Sequence, residues 1–279
     1  MKASFSQLLV HLDGSANDAR RLAAAAAIAQ SQGAAITALY AVTPALVTVP
    51  FAGEAGASVA TVLGQMDDER RIAARAAFDA AASAQFRSEW AEVADYPITS
   101  SFARQALYAD LLILGQHDPS DSSSAAVPPD FPEAVMAASG KPALVLPYQA
   151  RPATTVAENV VIAWKPTREA ALAVSAAVPL LQRARSVKVV SWLGRDATIL
   201  GEPLDLAHYL KLRGVDAVWH QEVAEPEHLG DLLLSRCFDF GADLLVMGCY
   251  GHSRAREWVL GGTSRTVLRS MTLPVLMAH

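Results

Sequence analysis

Short apolar runs alternate with longer segments whose apolar residues recur every three to four positions, and this alternation extends along the whole chain. QLLVHL (7–12), AITALYAV (35–42), DLLILG (110–115) and ALVLP (143–147) are apolar at successive positions. That is the pattern of strands covered on both faces of a parallel sheet. EWAEVA (89–94) reads as a weaker strand. Between them, NDARRLAAAAAIAQSQG (17–33) has helical period, with Asn17 or Asp18 to cap its start and Gly33 to end it. MDDERRIAARAAFDAAASAQF (66–86) opens on acids and sets Asp67 four residues before Arg71, an arrangement that favours a helix. Strands separated by helices predict βα units, and hence an α/β fold on a parallel sheet.

The pattern then repeats. LLVHLDGSANDA (8–19) aligns with VVIAWKPTREAA (160–171), ADLLILGQHD (109–118) with ADLLVMGCYG (242–251), and KPALVLP (141–147) with LPVLMAH (273–279). The expectation is a tandem duplication, with two five-stranded domains over 1–150 and 151–279. The seam falls in polar YQARPATTVAEN (148–159), where Pro152 stops either neighbour from continuing. Second-half strands are expected at NVVIAW (159–164), SVKVVSWL (186–193), DAVWHQEV (216–223), DLLVMG (243–248) and PVLMA (274–278). Helices are expected at about 168–184, 204–213, 228–240 and 262–271. The first half is longer, and its surplus falls in the Pro/Gly-rich stretch 43–64, read as a surface loop.

Composition narrows the function classes. The 279 residues are 52% apolar and 18% charged, enough to bury a core in each half. No run reaches the roughly 18–20 apolar residues of a membrane span, and MKASFSQLLVHLDG lacks a signal-peptide pattern, so the cytoplasm is the expected compartment. A net charge of -5 with scattered arginines gives no footprint for nucleic acid or an anionic membrane. Cys237 and Cys249 form no ligand motif and read as packed, reduced thiols, and the histidines make no i, i+4 metal pair.

The two copies of strand 4 lead into different segments. After DLLVMG the second half reads CYGHSRAREWVLGGTSRTVLRSM, which supplies Gly248, Gly251 and, after nine residues, Gly261 and Gly262 opening a helix. In a parallel α/β sheet this is the ligand edge, where glycines let backbone N–H groups face an anion and the helix N-terminus adds its dipole. Thr263 and Ser264 can cap that helix or bond a phosphate. A single glycine there would merely make the turn; four beside hydroxyls favour an anion site.

GCYGHSRAREWVLGG resembles the signature of the universal stress protein family, G-x2-G-x9-G followed by Ser or Thr, and the βα layout of both halves is similar to that family's tandem form. The resemblance implies binding of an adenine nucleotide, ATP or AMP, with or without magnesium, on Gly248, Gly251 and Gly261. Gly262 stands at the usual Ser/Thr position, and Thr263 offers a hydroxyl one residue on. His252 and Arg254 lie on the loop over the implied phosphates, and Met247 precedes the first glycine. Trp164 ends the first strand of this half, as an adenine wall or as core. Lys165 stands where the first half has Asp13, either meeting a phosphate or simply exposed. The resemblance also implies that the strands at 143–147 and 274–278 pair within one chain as a pseudo-dimer, with further homodimerisation open.

The first half keeps DGS at 13–15 but replaces the signature with GQHDPSDSSSAAVPPDFPEAV, whose prolines and acids oppose phosphate, so its nucleotide site is expected to be dead, leaving Asp13 as a relic, a ligand for something other than a triphosphate or, the favoured reading, a helix cap. No catalytic residue or metal ligand is identified. The main reading is a nucleotide-binding regulatory protein acting through an unidentified protein partner. The alternatives are a ligand-free scaffold and a weak ATPase or nucleotidyl enzyme of the same fold group.

Overall fold

The structure of the chain, a computed structural model, describes residues 3–48, 57–82, 86–93, 95–121, 125–149, 156–192, 204–222, 228–249 and 262–279. It divides into two compact units, one of Phe5–Ala143 and one of Met1–Ser4 with Leu144–His279. Each is an α/β unit on a parallel sheet.

In the first unit the elements are β1 (Gln7–Leu12), α1 (Asp18–Gln32), β2 (Ala35–Tyr40), α2 (Ala45–Thr48), α3 (Ala57–Ala81), β3 (Ser88–Glu92), α4 (Ile98–Ala106), β4 (Leu111–Gly115) and α5 (Phe131–Ser139); β5 (Ala143–Leu146) begins at the boundary. The strand order is β3-β2-β1-β4, and β1 pairs in parallel with both β2 and β4. Leu8, Val10 and Leu12 on one face of β1 and Leu9 and His11 on the other are all buried, which is why this strand reads as continuous rather than alternating.

The second unit holds β6 (Asn159–Trp164), α6 (Arg168–Leu181), β7 (Ser186–Trp192), α7 (Leu206–Leu212), β8 (Val218–Glu222), α8 (Leu229–Asp239), β9 (Leu244–Gly248), α9 (Thr263–Ser270) and β10 (Val275–Ala278). Its order is β10-β9-β6-β7-β8, parallel at every pairing. β6 and β9 are therefore central, and their flanking helices bury alanine- and valine-rich stripes such as Ala170, Ala173, Val174, Ala177 and Val178 of α6.

The strands fall where the apolar runs predict, but three local expectations are corrected. The stretch 43–64 is not one surface loop. α2 occupies 45–48 and α3 begins at Ala57, because Leu63 buries against Ala45 with Val59 alongside, and Asp67 accepts the Ala45 N–H at 2.9 Å. That packing carries the helix through Gly64, whose propensity argues against it. Asp67 does not pair with Arg71; it meets Arg70 at 3.3 Å, while Arg71 reaches Glu92 at 3.7 Å. Asn17 precedes α1 without capping it through its side chain, and Asp18 turns its carboxylate back onto the N–H groups of Asp13 and Gly14 at 3.1 and 2.8 Å. Gly33 ends α1 as expected, left-handed at φ 74° with its N–H on the Ala29 carbonyl.

Candidate functional site

Parallel strands deliver their carboxyl ends to one edge, and each crossover helix starts there. In the second unit β6 and β9 are neighbours in register, Val160 opposite Leu244 and Ile162 opposite Val246. Two residues further, that register brings Trp164 level with Gly248. Trp164, Lys165, Met247 and Gly248 thus stand together at adjacent strand ends, with Trp164 half-buried, Lys165 exposed and Met247 buried. Gly262, Thr263 and Ser264 open α9, the crossover from β9 to β10, which starts on the same edge. Gly262 is extended at φ -60° and ψ 150° and has no side chain to cap the helix; Ser264 is buried. Gly251, His252, Arg254 and Gly261 lie outside the described residues.

Gly248 has a structural duty of its own. A Cβ there would come within 2.6 Å of the Ala170 nitrogen and 2.9 Å of the Glu169 carbonyl carbon. The first turn of α6 therefore packs directly on this glycine. Thr167 caps that turn, accepting the Ala170 N–H at 3.3 Å.

At the corresponding edge of the first unit lies a cluster that sequence reasoning missed. The Arg21 Nη2 donates to Asp13 Oδ1 at 2.5 Å and to Asp18 Oδ1, with the Ser15 hydroxyl at 3.3 Å. Asp13 is thus not a helix cap: it pairs with Arg21 and accepts the Ser15 N–H at 3.0 Å in an Asx-type turn. Gly115, ending β4, leaves the room that Arg21 fills, because a Cβ there would collide with Nη1. The signal was legible: Asp18 and Arg21 fall on the same helical stripe as Leu22, Ala25, Ile28 and Ala29, which is the buried face of α1.

Burial and neighbours set the charges of this cluster. Burial alone would raise the Asp13 carboxyl, but Arg21 beside it, with His11 and the hydrogen bonds to Arg21 and Ser15, holds it well below the usual carboxylate range. Asp18, desolvated by burial and close to the Asp13 charge, is pushed up to about 6 despite Arg21. His11 is pushed down to about 4 by burial and then by the Arg21 charge. Its Nε2 lies 2.8 Å from the Ala41 carbonyl, and its ring packs against Phe102 and Phe131. The cavity that remains, lined among others by His11, Asp13, Arg21, Asp118 and Phe131, is about 40 Å³. That is room for water rather than for a nucleotide.

Neither cysteine is reactive by position. Cys237 and Cys249 are both buried, and burial pushes the Cys237 thiol up to about 12. Among the described residues no group of three or more His, Cys, Asp or Glu side chains is placed to hold a metal ion, and no helix is long and apolar enough to cross a membrane.

Residues 157–279 match the model of the universal stress protein family. That stretch of the second half is thus similar to a universal stress protein domain. Within this chain a 38-residue stretch is 53% identical to a universal stress protein, Slr1230, of a Synechocystis species, covering 14% of this chain and only 13% of that relative's length. The fold of the whole chain resembles the crystal structure of a universal stress protein from Archaeoglobus fulgidus, with a TM-score of 0.72, 15% identity, and coverage of 97% of this chain and 94% of that one. It also resembles a functionally unknown protein from Pseudomonas aeruginosa, with a TM-score of 0.57, 14% identity, and coverage of 98% and 92%. At these identities the structural likeness speaks for the fold. The matched stretch carries the glycine signature, whereas the first unit is a parallel α/β unit without it.

Proposed function

We propose that the chain is a regulatory protein of the universal stress type that binds one adenine nucleotide, ATP or AMP, in its second half and passes the state of that site to a protein partner. The observation that carries this reading is the placement of the signature. GCYGHSRAREWVLGG leaves the carboxyl end of central strand β9, beside the end of β6, and enters the N-terminus of α9. Glycine-lined amides of the signature and the dipole of α9 supply what phosphates require. Trp164 flanks the adenine, Lys165 reaches a phosphate, and Thr263 and Ser264 offer hydroxyls. The cytoplasm suits both the ligand and two buried, reduced thiols. The likeness to the tandem form further supports an intramolecular pseudo-dimer of domains 1–150 and 151–279, paired through their last strands.

Two observations favour a second reading, a scaffold without ligand. Gly248 is already required by the backbone of α6, and the first-unit edge is filled by its own side chains. Mass spectrometry of small molecules released from freshly purified protein separates the readings: an adenine nucleotide near one equivalent is expected. Its absence, with no calorimetric binding of ATP or AMP, would leave the scaffold. Product formed from bound ATP would instead identify an enzyme.

A further inference from the structure

The internal repeat gives the Asp13–Asp18–Arg21 cluster a built-in control. Aligned through 8–19 and 160–171, Asp13, Asp18 and Arg21 correspond to Lys165, Ala170 and Ala173. Ala170 and Ala173 lie on the buried face of α6 as Asp18 and Arg21 do on α1. The second unit therefore builds the same strand–helix contact from alanines, and the fold does not need charges there. Burying two carboxylates and a guanidinium is also costly. Arg21 even leaves its Nε buried without a hydrogen-bond partner, so the side chain is oriented by its Nη2 end at the expense of the rest.

At Nη2 three oxygens converge, from Asp13, Asp18 and the Ser15 hydroxyl. Two anionic oxygens and one neutral oxygen around a single point are the surroundings of a small bound cation. The Nη1 end meanwhile takes the space above Gly115, and Arg21 is held protonated by the two carboxylates even though burial opposes its charge. The geometry points to Arg21 as an internal cation that occupies the strand-end site of the first unit and bars ligands from it, an autoinhibitory contact built into α1. In this role the first unit is permanently filled, and its state does not follow ligand concentration. Asp13 and Asp18 form the receptor half of that contact, and Gly115 makes room for it.

The test removes the internal cation from the full-length chain and offers another. Arg21→Gly should lower the Tm by about 10 °C at neutral pH, the scale of breaking a buried pair in a chain of this size. Methylguanidinium chloride or magnesium chloride should restore at least half of the loss, and sodium chloride at equal ionic strength should restore none. Magnesium titration by calorimetry should show one more site than the unaltered chain. An unchanged Tm, or a folded variant that neither cation stabilises beyond the sodium control, overturns the proposal. If Arg21→Gly does not fold, Arg21→Met fills the volume without the charge. Adding Asp13→Asn to it should then raise the Tm, since one of two facing anions is removed; a Tm no higher in the double variant overturns the proposal equally.

Discussion

Asp243 accepts the N–H of Asn159 at 2.8 Å, and that of Glu158 at 2.9 Å, so the residue that introduces β9 clasps the start of β6. Asp110 does the same for Ser6 and Gln7 ahead of β1, at 2.7 and 3.0 Å. The twice-written ADLL is therefore a register device: each aspartate ties two neighbouring strands at their amino ends. The proposed site lies at the opposite edge of the same strand pair, which lets the endings diverge. Asp243→Ala should cost about 1–2 kcal/mol, the worth of charge-assisted bonds at a partly exposed position. Urea unfolding checks this, and a change under about 0.5 kcal/mol would mean that water replaces the clasp.

Two of the signature's four glycines, Gly248 and Gly261, should separate by phenotype. Gly248→Val drives a side chain into the α6 backbone and should destabilise the chain by about 2–3 kcal/mol, with or without nucleotide. Gly261→Val should leave the melting temperature nearly unchanged and abolish adenine nucleotide binding by calorimetry. Binding that survives Gly261→Val would place the nucleotide elsewhere.

Lys165→Asp tests how the second half departs from the first at the end of its first strand. With the lysine on a phosphate, the reversal of charge should weaken ATP binding at least tenfold, the loss of one charge-assisted contact. Stronger binding of ATP with magnesium would show instead that the position calls for a metal-side carboxylate.

Acid stability should reveal His11 and Asp18 as opposing terms. His11 is lowered from 6.5 to about 4. The folded state thus binds fewer protons than the unfolded state in that window, and this contribution is lost as pH falls from 6.5 to 4. Asp18 is raised from 3.8 to about 6, so its contribution is full below 3.8 and is lost as pH rises through 6. Each is worth about 3 kcal/mol, and they nearly cancel. Asp18→Asn keeps one acceptor oxygen, where Asp18 offers one each to the Asp13 and Gly14 amides, and removes its titration. Relative to the unaltered chain, this variant should lose stability between pH 6.5 and 4. His11→Gln should gain stability over the same interval. Denaturation midpoints across that range decide, and parallel profiles for all three proteins would refute the opposition.

The pseudo-dimer proposal predicts that an isolated second half, 151–279, exposes the last strand, Val275–Ala278, and dimerises through it. Sedimentation should find a dimer at micromolar concentration; a monomer at high concentration would count against pairing through this strand.

Much of the fold was legible in the sequence because a strand buried on both faces leaves an uninterrupted apolar run, as at Leu8–Leu12 and Val160–Ile162. Gly33 declared the end of α1 through the one backbone conformation it favours. The site proposed for the second half rests on glycine spacing, which is a local property of the chain. What needed tertiary structure was every feature made between segments distant in sequence. Leu63 and Asp67 turn part of an expected loop into helix by meeting Ala45. Gly248 is dictated by the α6 backbone about 80 residues before it, and Asp13 becomes an ion-pair partner because α1 folds back and places Arg21 beneath Gly115. Local sequence encodes φ, ψ preference and apolar period. Which charge neutralises which, and which glycine a neighbour's backbone requires, is decided only when the elements pack.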